Sequence, residues 1–431
     1  VAVVHIDHAS DHELASLLRS LQDRYEQLRK SGLALDLTRG KPGTEQLALS
    51  AGLDGILAGN YRTDSGTDVR NYGGLEGLPE ARAFFGAILG TAAEQTLVGG
   101  NSSLTLMYQT LDFLLREGLR GPGSAWEKSD TVKFLCPSPG YDRHFAICQH
   151  LGIGMRPIPM TESGPDMDLI EQLVQQDSTF KGIWCVPRFS NPTGCVYSED
   201  TVARIARLGQ LASEGFVVMW DNAYAVHELY DDAPRLASIT AFCEQYDTMD
   251  SVFQFGSTSK ISFAGAGVAY MGSSKENLAA FCRHLAFQSI GPDKVNQLRH
   301  LRFLAGEGVL ARHMARHAEI IRPRFEAVLD TLEAQLAGAG MGTWTRPRGG
   351  YFISFDSLPG LAREIVGLAA AIGVKLTPAG ATFPQGKDPL NQNIRLAPTF
   401  PPAEDVQATV DAFVVCVQLA TVQQRLQQPD Q

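Results

Sequence analysis

Between about residues 95 and 275, short apolar runs alternate with helix-like stretches, and this alternation limits the possible folds more than any other feature of the chain. The apolar runs fall at 133–136, 155–160, 182–186, 216–220, 252–255 and 268–271. Among them, helical spacing of apolar residues predicts helices over 102–116, 166–176 and 199–214. Continuous apolar runs imply strands buried on both faces, and strand–helix–strand order implies a mostly parallel sheet. The predicted class is therefore α/β, with ligands expected at the carboxyl ends of the strands.

The flanks read differently. Leu14, Leu17, Leu18, Leu21, Tyr25 and Leu28 recur at threes and fours, which predicts one helix over 11–30 that Ser31-Gly32 ends. After Gly308 come a long helix, the run 349–355, further helix and strand, and a closing helix over 404–427, with the Gln-rich tail 423–431 expected to fray. A chain of 431 residues is too long for one simple core, and 44% hydrophobic residues supply apolar material for a large sheet.

The net charge of −10 argues against a nucleic-acid surface. The longest near-continuous apolar run, 365–374, falls short of the roughly 18 residues a membrane span needs. Residues 1–10 lack the basic start of a signal peptide, and seven cysteines without a C-x-x-C pair read as reduced thiols, so a cytoplasmic setting is expected. His5 with His8 and His313 with His317 have helical ligand spacing but no acidic or cysteine framework. They are expected to be solvated helix residues, with no metal.

Three apolar runs end in polar tetrapeptides: Asn191-Pro192-Thr193-Gly194, Asp221-Asn222-Ala223-Tyr224 and Ser257-Thr258-Ser259-Lys260. Lysine, aspartate, tyrosine and asparagine at strand ends are what a pyridoxal 5'-phosphate (PLP) site needs. The lysine holds the aldehyde as a Schiff base, and the acid pairs with the pyridine nitrogen. Such a lysine, ordinarily near pKa ~10.4, has to lose its proton, which desolvation favours. Asp221 as a plain helix cap is the alternative. Gly99-Gly100-Asn101-Ser102-Ser103 opens a helix and offers N–H groups and hydroxyls either to a phosphate or to ordinary capping.

With Asn393-Ile394-Arg395-Leu396 added, the four motifs in this order resemble the class I, fold-type I aminotransferases, the aspartate aminotransferase family. The resemblance covers about residues 40–401. The Gly-Lys-Pro-Gly at 40–43, Arg188-Phe189-Ser190 and Phe263-Ala264-Gly265-Ala266-Gly267 are most similar to a bacterial subgroup sometimes filed with MocR-like proteins. It implies the PLP-dependent transferase fold of type I, with a large cofactor-binding domain at 50–320. A discontinuous small α+β domain would combine 1–49 and 321–431. It also implies a homodimer with shared active sites, no nucleic-acid or membrane partner, and ping-pong transfer of the amino group of aspartate or glutamate to a 2-oxo acid. Alanine or aromatic donors, a PLP-dependent lyase and a ligand-sensing regulator are the alternatives; no winged-helix pattern precedes Gly40.

The resemblance also implies roles for residues. Lys260 and Asp221 carry the chemistry, and Tyr224 and Asn191 reach the phenolic oxygen. Ser102, Ser103, Ser257 and Ser259 hold the phosphate, Tyr141 stacks on the ring, and Tyr72 reaches the phosphate of the neighbouring subunit. Arg395 grips the substrate α-carboxylate, for which a planar guanidinium suits bidentate binding, while Gly40 and Asn191 also touch substrate. Many members place an arginine about eight residues after the lysine, in G-x-R-x-G-Y, to neutralise the phosphate. Here the stretch reads Gly265-Ala266-Gly267-Val268-Ala269-Tyr270, without arginine. For a side-chain carboxylate of the substrate the candidates are Arg39, Lys41, Arg188, Lys294 and Arg299.

Overall fold

The computed structural model describes residues 5–129 and 131–427. At its centre lies an eight-stranded sheet, in the order Thr96–Val98, Ala269–Gly272, Val252–Ser257, Val217–Asp221, Phe180–Cys185, Lys133–Ser138, Gly154–Thr161, Gly164–Pro165. The five strands from Val252–Ser257 to Gly154–Thr161 run parallel, and the edges are antiparallel.

Each predicted run becomes a strand, and all but 155–160 are covered on both faces; strand Gly154–Thr161 fully buries only Ile158. Trp184, Met219 and Phe253 enter one apolar cluster with Leu106, Leu111 and Phe281 of helices Ser103–Arg116 and Lys275–Leu285. Their neighbours Ile183, Val218 and Val252 enter the opposite cluster with Ile170 and Val202 of helices Met167–Gln176 and Glu199–Leu211. Side-chain caps fix the helix starts: Ser102, Asp166 and Ser198 each accept the N–H three residues on. The last of these helices stops at Leu211, three residues before the predicted end.

Another core joins the two ends of the chain. Leu14 and Leu21 of helix Asp11–Lys30 pack with Phe325 and Val328 of helix Val309–Leu336, and with Ile353, Phe355, Val410 and Phe413. Strand Ile353–Ser357 is the middle of an antiparallel sheet between Gly342–Trp344 and Asn393–Leu396. Helix Val309–Leu336 runs through residue 320, the expected domain border.

Helix Ala403–Gln427 is long and apolar enough by composition to cross a membrane, with a window of mean hydropathy 1.4, but 72% of that window is buried inside the protein. It packs against helices Asp11–Lys30 and Val309–Leu336, and an all-round apolar helix is what the centre of a core needs. Of the tail expected to fray, 423–427 are helical, and 428–431 lie outside the described residues, as do residues 1–4 of the leader reading. All seven cysteines are free, five of them buried, with Cys195 and Cys282 half-buried.

In the parallel part of the sheet, Cys185 pairs with Trp220 and Asp221 with Phe255. The three tetrapeptides therefore leave three successive strands at one edge, where a parallel sheet presents its ligand side.

Candidate active site

A cavity of about 650 Å³ opens at that edge, and Lys260, Asp221, Tyr224, Asn191, Tyr141, Arg395 and Gly40 all line it. The Lys260 Nζ lies 4.9 Å from the centre of the Tyr224 ring and 5.9 Å from that of Tyr351. Loss of water around the ammonium pushes its pKa below the ordinary lysine value, and the Asp221 charge opposes that shift.

Asp221 ends its strand and is 3% exposed. His144 Nε2 donates to its Oδ2 at 3.0 Å, while its Oδ1 is buried with no hydrogen-bond partner. Such an unmatched acceptor is costly, all the more on a carboxylate. A protonated pyridine nitrogen is a donor of the kind this oxygen lacks, so the residues fit PLP. His144 is itself fixed, stacked on Trp184 at 4.1 Å and 5° and edge-on to Tyr141 at 5.0 Å. The sequence reading missed it. The available signal was its place three residues after Tyr141, at the start of helix Asp142–His150, where such spacing shares a helix face.

Burial, with the charges of Asp221 and Asp142, pushes the Tyr141 phenol up to about 12. Burial, then Tyr141 and Asp221, pushes Tyr224 well above the ordinary tyrosine value. Both phenols are donors at neutral pH. Asn191 Oδ1 accepts from Arg395 Nη1 at 3.2 Å, which leaves the amide N–H₂ as the end that can meet a ligand oxygen. The Arg395 fork is further held by Thr377 Oγ1 at 3.3 Å, Asp142 Oδ1 at 3.2 Å and the Thr38 carbonyl at 3.4 Å, above the Phe352 ring. At Gly40 a Cβ would come within 2.3 Å of Phe352 Cζ, so only glycine lets this loop approach the ring.

The expected phosphate residues do not line the cavity but converge beside Lys260. Ala269 pairs with Ser257 on one side and exchanges hydrogen bonds with Gly99 and Gly100 on the other. The Gly99–Ser103 turn thus lies one strand from Ser257, whose hydroxyl donates to Ser259 Oγ at 3.1 Å. Ser102 also caps its helix, accepting from the Thr105 N–H at 3.4 Å.

With the family pattern aligned on Gly265 and Tyr270, the place of the arginine falls to Gly267, and the structure gives a reason. A Cβ there would lie 2.9 Å from Thr258 Oγ1 and 3.1 Å from the Phe263 carbonyl. The Thr258 hydroxyl cannot retreat because it accepts the Val268 N–H at 2.8 Å. Gly267→Ala should therefore lower stability by about 1–3 kcal/mol through overpacking, read from the urea unfolding midpoint.

Tyr72 is 83% exposed and lies away from the cavity. Three of the cationic candidates are engaged elsewhere: Lys294 on the Tyr72 and Gly73 carbonyls, Arg188 on Glu228 and the Ala225 carbonyl, and Arg299 on the Leu53 carbonyl. Arg39 and Lys41 do line the cavity, together with Arg143, which the sequence reading did not single out. His313 and His317 correct the expectation of solvated histidines, being only 6% and 1% exposed.

Residues 9–429 match the family described as aspartate amino-transferase. An aspartate aminotransferase of Corynebacterium glutamicum is 43% identical over 408 residues, 94% of this chain and 93% of that one. The crystal structure of an aspartate transaminase from the same species matches with a TM-score of 0.92 at 40% identity, over 98% of this chain and 100% of that one. The α-aminoadipate aminotransferase of Thermus thermophilus, complexed with N-(5'-phosphopyridoxyl)-L-leucine, shares the fold at a TM-score of 0.74 and 22% identity, over 90% and 92% of the two chains. With its mostly parallel sheet and the cavity at the sheet's carboxyl edge, the chain belongs to the aspartate aminotransferase family, PLP-dependent aminotransferases of fold type I.

Proposed function

We propose that this aminotransferase carries PLP on Lys260 and moves the amino group of aspartate or glutamate to oxaloacetate or 2-oxoglutarate. The observation that carries this reading is one cavity shared by Lys260, the unmatched Oδ1 of Asp221 and the Arg395 fork. When bound, PLP supplies an aldehyde and an electron-accepting ring. Asp221, steadied by His144, would keep the ring nitrogen protonated. Tyr224 and Asn191 would hydrogen-bond the phenolic oxygen, Tyr141 would cover the ring, and Ser102, Ser103, Ser257 and Ser259 would take the phosphate. Arg395 would grip the substrate α-carboxylate, and the Lys260 amine would take the proton from Cα as a general base and give it back as an acid.

Five lining residues are basic (Arg39, Lys41, Arg143, Lys260, Arg395) against two acidic ones (Asp142, Asp221), in a chain of net charge −10. That local reversal favours a substrate with a second carboxylate, met by Arg39, Lys41 or Arg143. The reading includes a cytoplasmic homodimer in which exposed Tyr72 reaches the partner's phosphate, which exposed Phe287 and Ile290 support. It also includes a division into a large domain at 50–320 and a discontinuous smaller one, supported by the shared core of the two chain ends.

Initial rates with aspartate and 2-oxoglutarate varied together should give parallel double-reciprocal lines, the mark of ping-pong transfer. Intersecting lines would sink the mechanism. Sustained oxo-acid release without any acceptor would mark a lyase instead.

A further inference from the structure

His227, His313, His317 and Tyr351, all buried and none lining the cavity, converge on two consecutive backbone carbonyls, those of Lys260 and Ile261. The Ile261 oxygen lies 2.6 Å from His313 Nε2 and 3.0 Å from His317 Nε2. The Lys260 oxygen lies 3.3 Å from His227 Nε2 and 3.4 Å from the Tyr351 hydroxyl. Gln46 ties the set together. Its Nε2 is 2.9 Å from the Tyr351 oxygen and 3.2 Å from His317 Nδ1, and its Oε1 accepts the Gly43 N–H at 3.1 Å.

Hydrogen-bond chemistry leaves one assignment of protons. Carbonyls only accept, so all three histidines carry their proton on Nε2 and Tyr351 donates. The Gln46 amide then spends its two protons on Tyr351 and His317, which requires His317 to be neutral with a bare Nδ1. The 3.1 Å approach of His313 Nε2 to His317 Nε2 is two donors sharing the Ile261 oxygen. Burial agrees, pushing His317 down to about 4 and His227 down to about 3. Apolar residues here would leave both carbonyls unmatched, which is costly, but one donor to each would settle that, so the doubled and linked donors call for a further function.

We propose that Gln46, His227, His313, His317 and Tyr351 are positioning residues that pin the Lys260–Ile261 peptide and thereby aim the Lys260 side chain at the coenzyme aldehyde. The proposal rests on Lys260 being the lysine that carries the coenzyme. Four of its parts come from the segment after Gly43, from helix Val309–Leu336 and from the loop before strand Ile353–Ser357, outside the sheet, while His227 comes from the loop after the neighbouring strand Val217–Asp221.

The test uses holoenzyme with His317→Phe, His317→Gln and Tyr351→Phe, and reads the pH midpoint of the coenzyme's visible band together with kcat and KM. Both Phe variants should move the midpoint by about half a unit or more and lower kcat by about 10- to 100-fold, the scale of a small misplacement, with KM changed less than about 3-fold. His317→Gln, whose amide can still donate to the Ile261 carbonyl, should recover most of both. An unmoved midpoint and kcat in the Phe variants overturns the proposal, as does a Gln variant no better than Phe. If His317→Phe does not fold, Tyr351→Phe, which removes a single oxygen, decides. A wild-type holoprotein without a visible band fails the Lys260 assignment itself, and the wild type alone reveals that.

Discussion

Lys260→Met should lower turnover by at least about 10⁴-fold, the upper end of what one positioned acid–base group contributes, and should make the apoprotein more stable. The first effect follows from the proposal that the same nitrogen both carries the coenzyme and moves the Cα proton. The second follows from the desolvation that depresses the lysine's pKa in the folded state. An unfolded chain holds that proton up to the ordinary value near 10.5, whereas the folded chain gives it up earlier. Wild-type stability therefore rises with pH across the interval between the two values, and below that interval the full penalty remains. Methionine fills similar space with no charge to desolvate, so the apo variant should melt higher at neutral pH, with a margin that narrows as pH approaches the ordinary lysine range. Scanning calorimetry of the apoproteins over that range and single-turnover rates of the loaded proteins check the two halves separately. Turnover within a hundredfold of wild type would remove Lys260 from its role. Both outcomes together would set activity at this site against stability, as expected where a charged group is kept from water for chemistry.

The sheet was legible because each of its main strands is a local record of its surroundings. A strand buried on both faces, such as Val217–Asp221, must be apolar throughout, and the polar residue that ends it marks where the sheet edge begins. Strands of two residues, Leu35–Asp36 and Gly164–Pro165, carry no such record. The tetrapeptides were legible for the same reason, whereas partners brought from elsewhere were not. His144 stands 77 residues from Asp221, and only the pairing of strands across the sheet brings them together. His313 and His317 misled because i,i+4 spacing was read without its neighbours. They share a stripe with Met314, Ala318, Ile321 and Phe325 on one helix, and that stripe is buried. Helix Ala403–Gln427 was underrated as an apolar element because Thr409, Gln418 and Thr421 interrupt its runs, although Thr409 and Thr421 are buried and bond back to their own helix.

Asp221→Asn is the sharper test of the electronic part of the reading, because it changes charge and almost nothing else. The amide oxygen can keep the His144 contact, which places an N–H₂ where the unmatched Oδ1 now lies. That group donates rather than accepts, so a ring nitrogen meeting it must accept and loses its proton. The coenzyme should still bind, held by Lys260 and the serine hydroxyls, but the electron pair released at Cα would flow toward a neutral ring. Removing one preorganised electrostatic partner of this kind costs about 10²- to 10³-fold in turnover. The visible band should persist while single-turnover rates fall, and a melting temperature near that of wild type would separate the effect from misfolding. A variant that binds coenzyme and turns over within about tenfold of wild type, a barrier change of about 1.4 kcal/mol, would mean that the buried carboxylate is there only to satisfy His144. In that case the orphaned oxygen would lose its explanation, since among the described residues no donor lies within hydrogen-bond distance of it.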